Sequence, residues 1–215
     1  MKSFIFLCLT AFISQSAFSQ ADRVYKPSHY LLPDFVKGIV KLKTGTIIGS
    51  LNYNSYLESM IIQQGDERRE LAALETIDTV YLNNRKFVPA GKGFYEVVAG
   101  MPVPFFIQHS CKVKAPAEPV GFGGTSQLTS STSTATRETL RIFYKNSLPD
   151  NYIVSPQQTV FIKKDGEYVD ISSSKRVAIL FPGKEGVIKK IVKTNKTDFY
   201  NAEDVKRLVL NVASM

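Results

Sequence analysis

Gln108-His109-Ser110-Cys111 sets an imidazole two residues from a thiol. In a strand, residues i and i+2 share a face, so His109 and Cys111 can approach one another as a base and a nucleophile do. Such a pair also needs a third group to orient the base and a donor for the oxyanion, and the sequence identifies neither. His29 is the only other histidine of the chain. Two imidazoles and one thiol, widely spaced, do not make a closed zinc shell. Nor is there a run of alternating Asp/Asn oxygens ending in Glu, as a calcium loop requires. Three motifs of penicillin-recognising enzymes occur by letter: Ser172 to Lys175 as S-x-x-K, Tyr144-Lys145-Asn146 as Y-x-N, and Lys43-Thr44-Gly45 as K-T-G. Their order is reversed and no large helical domain stands behind the serine, so they are string matches without the context that gives them meaning. Gly121-Phe122-Gly123-Gly124 lacks the Lys-Ser/Thr of a phosphate loop. An acid pair for hydrolysis would have to come from Glu58, Glu75, Glu96, Asp150 and Asp170, and spacing does not choose among them. No catalytic, cofactor-binding or metal-ligating residue is assigned, and no cofactor is expected.

The elements that would position these groups are mostly short strands. Gly38 to Leu42 is a first one, closed by Lys43-Thr44-Gly45. Thr46 to Tyr53 then alternates, with Ile47, Gly49, Leu51 and Tyr53 on one side and Thr46, Ser50 and Asn52 on the other; Ile48 is the exception. A period of two marks a half-buried strand. Leu57 to Gln63, Leu71 to Leu74, Thr79 to Leu82, Lys86 to Val88, Phe94 to Ala99 and Val103 to Ile107 continue the series. Turn signals recur about every eight to twelve residues, the rhythm of an antiparallel sandwich or barrel rather than of βαβ units. Leu140 to Tyr144 reads as another strand. Thr159 to Lys163 and Glu167 to Ile171, joined through Asp165-Gly166, read as a β-hairpin.

Further on the period changes to that of helices. Ser174 caps a segment carrying Val177, Ile179, Leu180 and Phe181 that stops at Pro182-Gly183. Val187, Ile188, Ile191 and Val192 recur at helical spacing, with Lys189, Lys190, Lys193 and Lys196 on the other side. Asn201 caps a third segment whose apolar stripe is Val205, Leu208, Val209 and Val212, with Glu203 and Asp204 in its first turn. Helices this short must dock to persist, and the two-sided apolar strands around Phe105, Phe106 and Ile107 need a cover. The expected fold is therefore α+β and mostly β: an antiparallel β-sandwich or barrel-like sheet with a C-terminal cluster of short helices.

The chain begins with a basic Met1-Lys2-Ser3, an apolar run of about ten residues from Phe4 to Ile13 and a small-x-small site at Ala17-Phe18-Ser19, the pattern of a secretory signal peptide. Cys8 lies inside that apolar run, not at its end where a lipid-modified cysteine belongs. Residues 1–19 are read as the signal peptide, 20–34 as an arm laid over the sheet, and 35–114 as the antiparallel β region. Residues 115–139 form a Ser/Thr/Gly-rich flexible loop, and 140–215 a β-hairpin plus helices. No later run is long enough to cross a bilayer. Lys plus Arg is 27 and Asp plus Glu is 19; without Lys2 the balance is 26 − 19 = +7. The lysines are spread rather than blocked, so most form a solvated surface. Cys111 alone remains after processing, so no internal disulfide forms, and it is expected to pack as a small hydrophobe beside a strand end. Export and the absence of a recognition motif argue against nucleic acid.

Several of these stretches together resemble a group of uncharacterised exported proteins of Bacteroidota. They are Gly49 to Asn54, Gly121 to Ser126, Leu148 to Tyr152, Phe181-Pro182 and Asn195 to Phe199. The resemblance spans most of the processed chain and implies a compartment and an order of parts, not an activity. The expected function is that of an exported non-enzymatic binding or assembly protein of the bacterial cell envelope, in the periplasm or secreted. An envelope protein or an anionic polymer is its expected partner. The alternative is a hydrolase of envelope polymers, which would need two or three titratable side chains from distant segments to meet in one cleft.

Overall fold

Short alternating runs closed by left-handed turn residues build one antiparallel sheet. The computed structural model describes residues 28–98, 104–114, 118–120, 124–126, 146–149 and 151–215. Its strands are β1 (Val36–Leu42), β2 (Gly45–Asn54), β3 (Ser59–Gln64), β4 (Glu67–Glu70), β5 (Ile77–Leu82), β6 (Arg85–Ala90), β7 (Gly93–Val98), β8 (Phe105–Lys114), β9 (Glu118–Val120), β10 (Gly124–Ser126), β11 (Ile153–Lys164) and β12 (Glu167–Asp170). Ten of them form a single sheet in the order β12-β11-β8-β7-β6-β5-β1-β2-β3-β4, and β9 and β10 pair separately. The β11–β12 hairpin turns through Asp165 (φ 51°) and Gly166 (φ 88°), the two left-handed positions that a tight two-residue turn requires.

The sheet curls strongly without closing. Glu58, in the β2–β3 connection, has φ 58°, and its carbonyl oxygen accepts from the Phe94 amide on β7 at 3.3 Å. A Cβ on Gly93 would stand 2.2 Å from that oxygen, so the approach requires glycine there. Inside the curl lie Val40, Leu51, Tyr53, Met60, Val80, Leu82, Phe87 and Phe94, all buried. A second core lies where the helices α1 (Ser174–Ala178), α2 (Glu185–Asn195) and α3 (Ala202–Ala213) cover β8 and β11. Val205, Leu208, Val209 and Val212 are buried against it, each worth roughly 1.5–3 kcal/mol of gross transfer free energy. The third helix starts where expected: the Asn201 side chain accepts from the Glu203 amide at 3.0 Å and the Asp204 amide at 3.3 Å. Its Ala202 amide donates to Gln158 of β11 at 2.9 Å, which ties the helix start to the sheet. Among the described residues no helix is long and apolar enough to cross a membrane.

The arm lies across the sheet from residue 28 onward. The Asn52 side chain meets it on three sides: Nδ2 donates to the Leu32 and Asp34 carbonyls at 2.9 and 3.1 Å, and Oδ1 accepts from the Leu32 amide at 3.1 Å. Tyr30 bridges to Asn54. Under the arm a small third core gathers Tyr30, Leu57, Ile61, Leu148 and Val154.

Four local expectations change. The fourth strand is the charged Glu67–Glu70, not Leu71 to Leu74. It is the sheet's outer edge, where charged side chains suit a row of unpaired backbone groups. Leu71 and Leu74 instead lead into a 3-10 turn and pack on the curled core. The strand expected at Val103 to Ile107 runs on to Lys114, because β11 pairs with it over ten residues; His109 and Cys111 therefore sit within the strand, not at its end. The first helix is capped by Ser173 rather than Ser174. Within the Ser/Thr/Gly-rich stretch, β9 and β10 form a short antiparallel pair. The signal segment, the strand expected at Leu140 to Tyr144 and Gly121 to Gly123 lie outside the described residues.

Candidate functional site

Strand pairing lays a row of side chains across six strands: Val40, Val80, Phe87, Glu96, Ile107 and Val160. Five are buried apolar residues and Glu96 interrupts them. A carboxylate on the apolar face is costly unless it is paired and hydrogen-bonded. Arg85 and His109 come from the strands on either side and supply both needs. Arg85 donates from Nε to Glu96 Oε1 at 2.7 Å and from Nη2 to Oε2 at 2.5 Å, a bidentate fork. His109 Nε2 stands 2.6 Å from Oε2. An ionised carboxylate only accepts, so this imidazole nitrogen carries the proton.

The three side chains are 29 %, 13 % and 3 % exposed for Arg85, Glu96 and His109 respectively, so the cluster is closed to all but its guanidinium edge. Burial pushes the Glu96 carboxyl up, but hydrogen bonds from His109 and Arg85, with the Arg85 charge, outweigh it and bring the group down to about 2. Burial lowers the His109 imidazole against the opposing bond to Glu96, so it is neutral near pH 7. Tyr53 stands edge-on to the ring and donates from its hydroxyl to the His109 carbonyl at 2.9 Å. The cluster carries one positive and one negative charge, and both carboxylate oxygens are occupied. A shallow groove of about 460 Å³ passes over it, bounded by Gln158 and the start of α3.

A larger cleft, about 800 Å³, opens on the other side of β2–β4, between the arm and Ser147, Leu148, Pro149, Tyr152 and Val154. Its charged residues are Arg68 of the edge strand and Asp34 of the arm; the Arg68 guanidinium carbon lies 4.9 Å from the Phe35 ring centroid and 5.6 Å from that of Tyr30, two rings that meet edge-on at 5.1 Å. Among the described residues no carboxylate forms a salt bridge with Arg68. His29 lines the same cleft. Burial, against a backbone hydrogen bond at Asn146 and reinforced by the Arg68 charge, lowers its pKa to about 4. Asn146 locks the wall: its carbonyl accepts from the Tyr30 hydroxyl at 2.6 Å and from Asn54 Nδ2 at 3.1 Å. Its own Nδ2 donates to the Arg68 carbonyl at 3.0 Å. Asn146 takes a left-handed φ of 63° to make these contacts.

No family model, curated protein or solved structure matches the chain.

Of the acids considered from sequence, Glu96 is hydrogen-bonded to titratable groups from the strands on either side of it. Glu58 accepts from Gln108 at 2.6 Å. Glu75 is exposed on the 3-10 turn. Asp170 accepts from the Ser172 amide and pairs with Arg176. Asp150 lies outside the described residues. His109 and Cys111 share a face as expected, but the imidazole Nε2 is turned to Glu96, and Cys111 is half-buried against the small core under the arm. Lys43-Thr44-Gly45 lies at the β1–β2 turn and Ser172 to Lys175 at the start of α1, with five strands between β1 and β12. Tyr144 and Lys145 of the third triplet lie outside the described residues. Arg85 and Arg68 were not singled out by sequence. The legible signal for the first cluster was Glu96, which alternates with Phe94 and Val98 on the apolar side of its strand. Nothing local marks Arg68.

Proposed function

We propose that this chain is an exported, non-enzymatic binding protein of the cell envelope and that its ligand seats an acidic group on Arg68. The observation that carries the reading is a guanidinium packed beside an edge-on pair of aromatic rings in a roomy cleft, in a salt bridge with no carboxylate among the described residues, although Asp34 lines the same cleft. Guanidinium forks recognise carboxylate and phosphate, and the adjacent rings offer a face to an apolar or sugar portion. His29 stays neutral beside it and so does not add to the charge. The sequence pattern of residues 1–19 supports export. An anionic envelope polymer is the ligand class that suits this chemistry.

Calorimetric titration of the chain from residue 20 with an acidic oligosaccharide, and with its neutral analogue, tests it. Arg68→Gln should weaken binding of the acidic probe about 10- to 100-fold. Arg69→Gln, next to it but exposed and paired with Glu67, should leave affinity unchanged. Equal affinity of the Arg68 variant would place the ligand elsewhere.

The second reading, a hydrolase of envelope polymers, is favoured by Glu96 and His109 meeting beneath a groove. Against it, Glu96 is held ionised with both oxygens engaged, which leaves it unable to serve as a general acid near pH 7. Release of polymer fragments by the wild type, lost in Glu96→Gln, would reverse the order of the two readings.

A further inference from the structure

The β1–β2 hairpin ends in apolar side chains that no described residue covers. Ile48 is 60 % exposed, Ile47 40 % and Ile39 38 %. Ile39 stands directly opposite Ile48 on β2 and opposite Tyr81 on β5, so these three lie in one row on the outer face. Ile47 pairs with Val40 and points to the opposite face. The end of the hairpin thus presents isoleucine on both sides, within a few residues of the Lys43-Thr44 turn. Isolated exposed apolar residues are ordinary, but Ile39 and Ile48 adjoin each other and Tyr81 on one face, and Ile47 is exposed on the other.

Basic residues rim this end. Lys37 and Lys41 flank Ile39 on the same face of β1, Lys43 forms the turn, and Lys86 pairs with Tyr81. Lys41 Nζ stands 5.4 Å from the Tyr81 ring centroid. The neighbouring acids are Glu75 of the 3-10 turn and Asp78 of β5, so the lysines outnumber them. The whole chain carries a formal charge of +8. Apolar side chains at a tip inside a cationic rim match the two layers of an anionic bilayer surface, acyl chains below and phosphate headgroups above. We propose that the β1–β2 hairpin docks on an anionic phospholipid surface, with Ile47 and Ile48 entering the interface and Lys37, Lys41, Lys43 and Lys86 meeting the headgroups. A second copy of the chain is a poorer occupant, because the same lysine rim on both partners would repel.

The chain contains no tryptophan, so Ile48→Trp places a single indole reporter at the tip. Adding vesicles of phosphatidylcholine with phosphatidylglycerol to the chain from residue 20 should shift its emission to the blue, and pure phosphatidylcholine should not. Ile48→Ser in the otherwise native chain should reduce co-sedimentation with the anionic vesicles about fivefold. Raising salt from 0.1 to 0.5 M should reduce it at least as much, because the headgroup contacts are screened. Both serine and tryptophan sit on the solvent face, and a melting temperature within about 2 °C of wild type confirms that the fold is kept. Absence of anionic-vesicle binding overturns the proposal. So does binding that survives Ile48→Ser, which would mean charge alone at another surface. A concentration-dependent mass increase abolished by Ile48→Ser would assign the face to a second copy instead.

Discussion

Replacing Glu96 by Gln is the most direct probe of the balance struck inside the sheet. The amide keeps the shape of the side chain but removes its charge and one of its acceptors. Arg85 and His109 then face a group that can accept from only one side, and the guanidinium loses its counter-charge at 29 % exposure. Removing one partner of a fully buried ion pair costs about 3–5 kcal/mol. Arg85 can turn partly to solvent, so a loss of roughly 2–4 kcal/mol is expected here. For a chain of this size that is a fall of about 5–15 °C in melting temperature. A pH dependence follows from the same cluster. The folded Glu96 carboxyl titrates at about 2, below its ordinary value of 4.5. A depressed acid stabilises the fold fully above its unfolded pKa and loses that contribution as pH falls through the folded value. The gap between wild type and Glu96→Gln should therefore be constant above about pH 5 and narrow steadily from pH 4.5 toward pH 2. Urea unfolding followed by circular dichroism at pH 7, 4 and 3 measures both effects. A variant as stable as wild type at pH 7, or a gap that stays constant down to pH 3, refutes the account of Glu96 as an ionised carboxylate held by its two neighbours.

Two further outcomes test other parts of the fold. His29 is neutral in the folded chain down to about pH 4, against an ordinary value of 6.5, so its contribution is present above pH 6.5 and is lost as pH falls toward 4, by up to about 3 kcal/mol. His29→Gln should flatten the slope of unfolding free energy against pH in that window, with His109 supplying the remainder; an unchanged slope would show that His29 is protonated in the fold. Gly93→Ala should cost about 3 kcal/mol, the upper end for overpacking, because the methyl meets a backbone carbonyl rather than a yielding side chain. Gly45→Ala, which meets nothing within 4 Å, is the control, and equal urea midpoints for the two variants would contradict the close approach of β7 to the β2–β3 connection.

Alternation and turn chemistry were enough to place most strands of the sheet, the Asp165-Gly166 hairpin and the helix capped by Asn201, because each depends on residues near one another in the chain. The stripe Val205, Leu208, Val209 and Val212 likewise announced which side of α3 would be buried. The edge strand Glu67–Glu70 was not legible, since its place follows from having no further neighbour rather than from its own apolar pattern. The Arg85–Glu96–His109 cluster depends on the register of three adjacent strands, and a slip of one residue would turn each side chain to the other face. The Arg68 cleft depends on contacts spanning still longer separations, such as Tyr30 to Asn146. Sequence alone thus determined that the chain folds as a pleated sheet covered by helices. Only the tertiary structure decided which charges meet, because pairing partners are chosen by long-range register and by the arm's path across β2, and neither leaves a local trace.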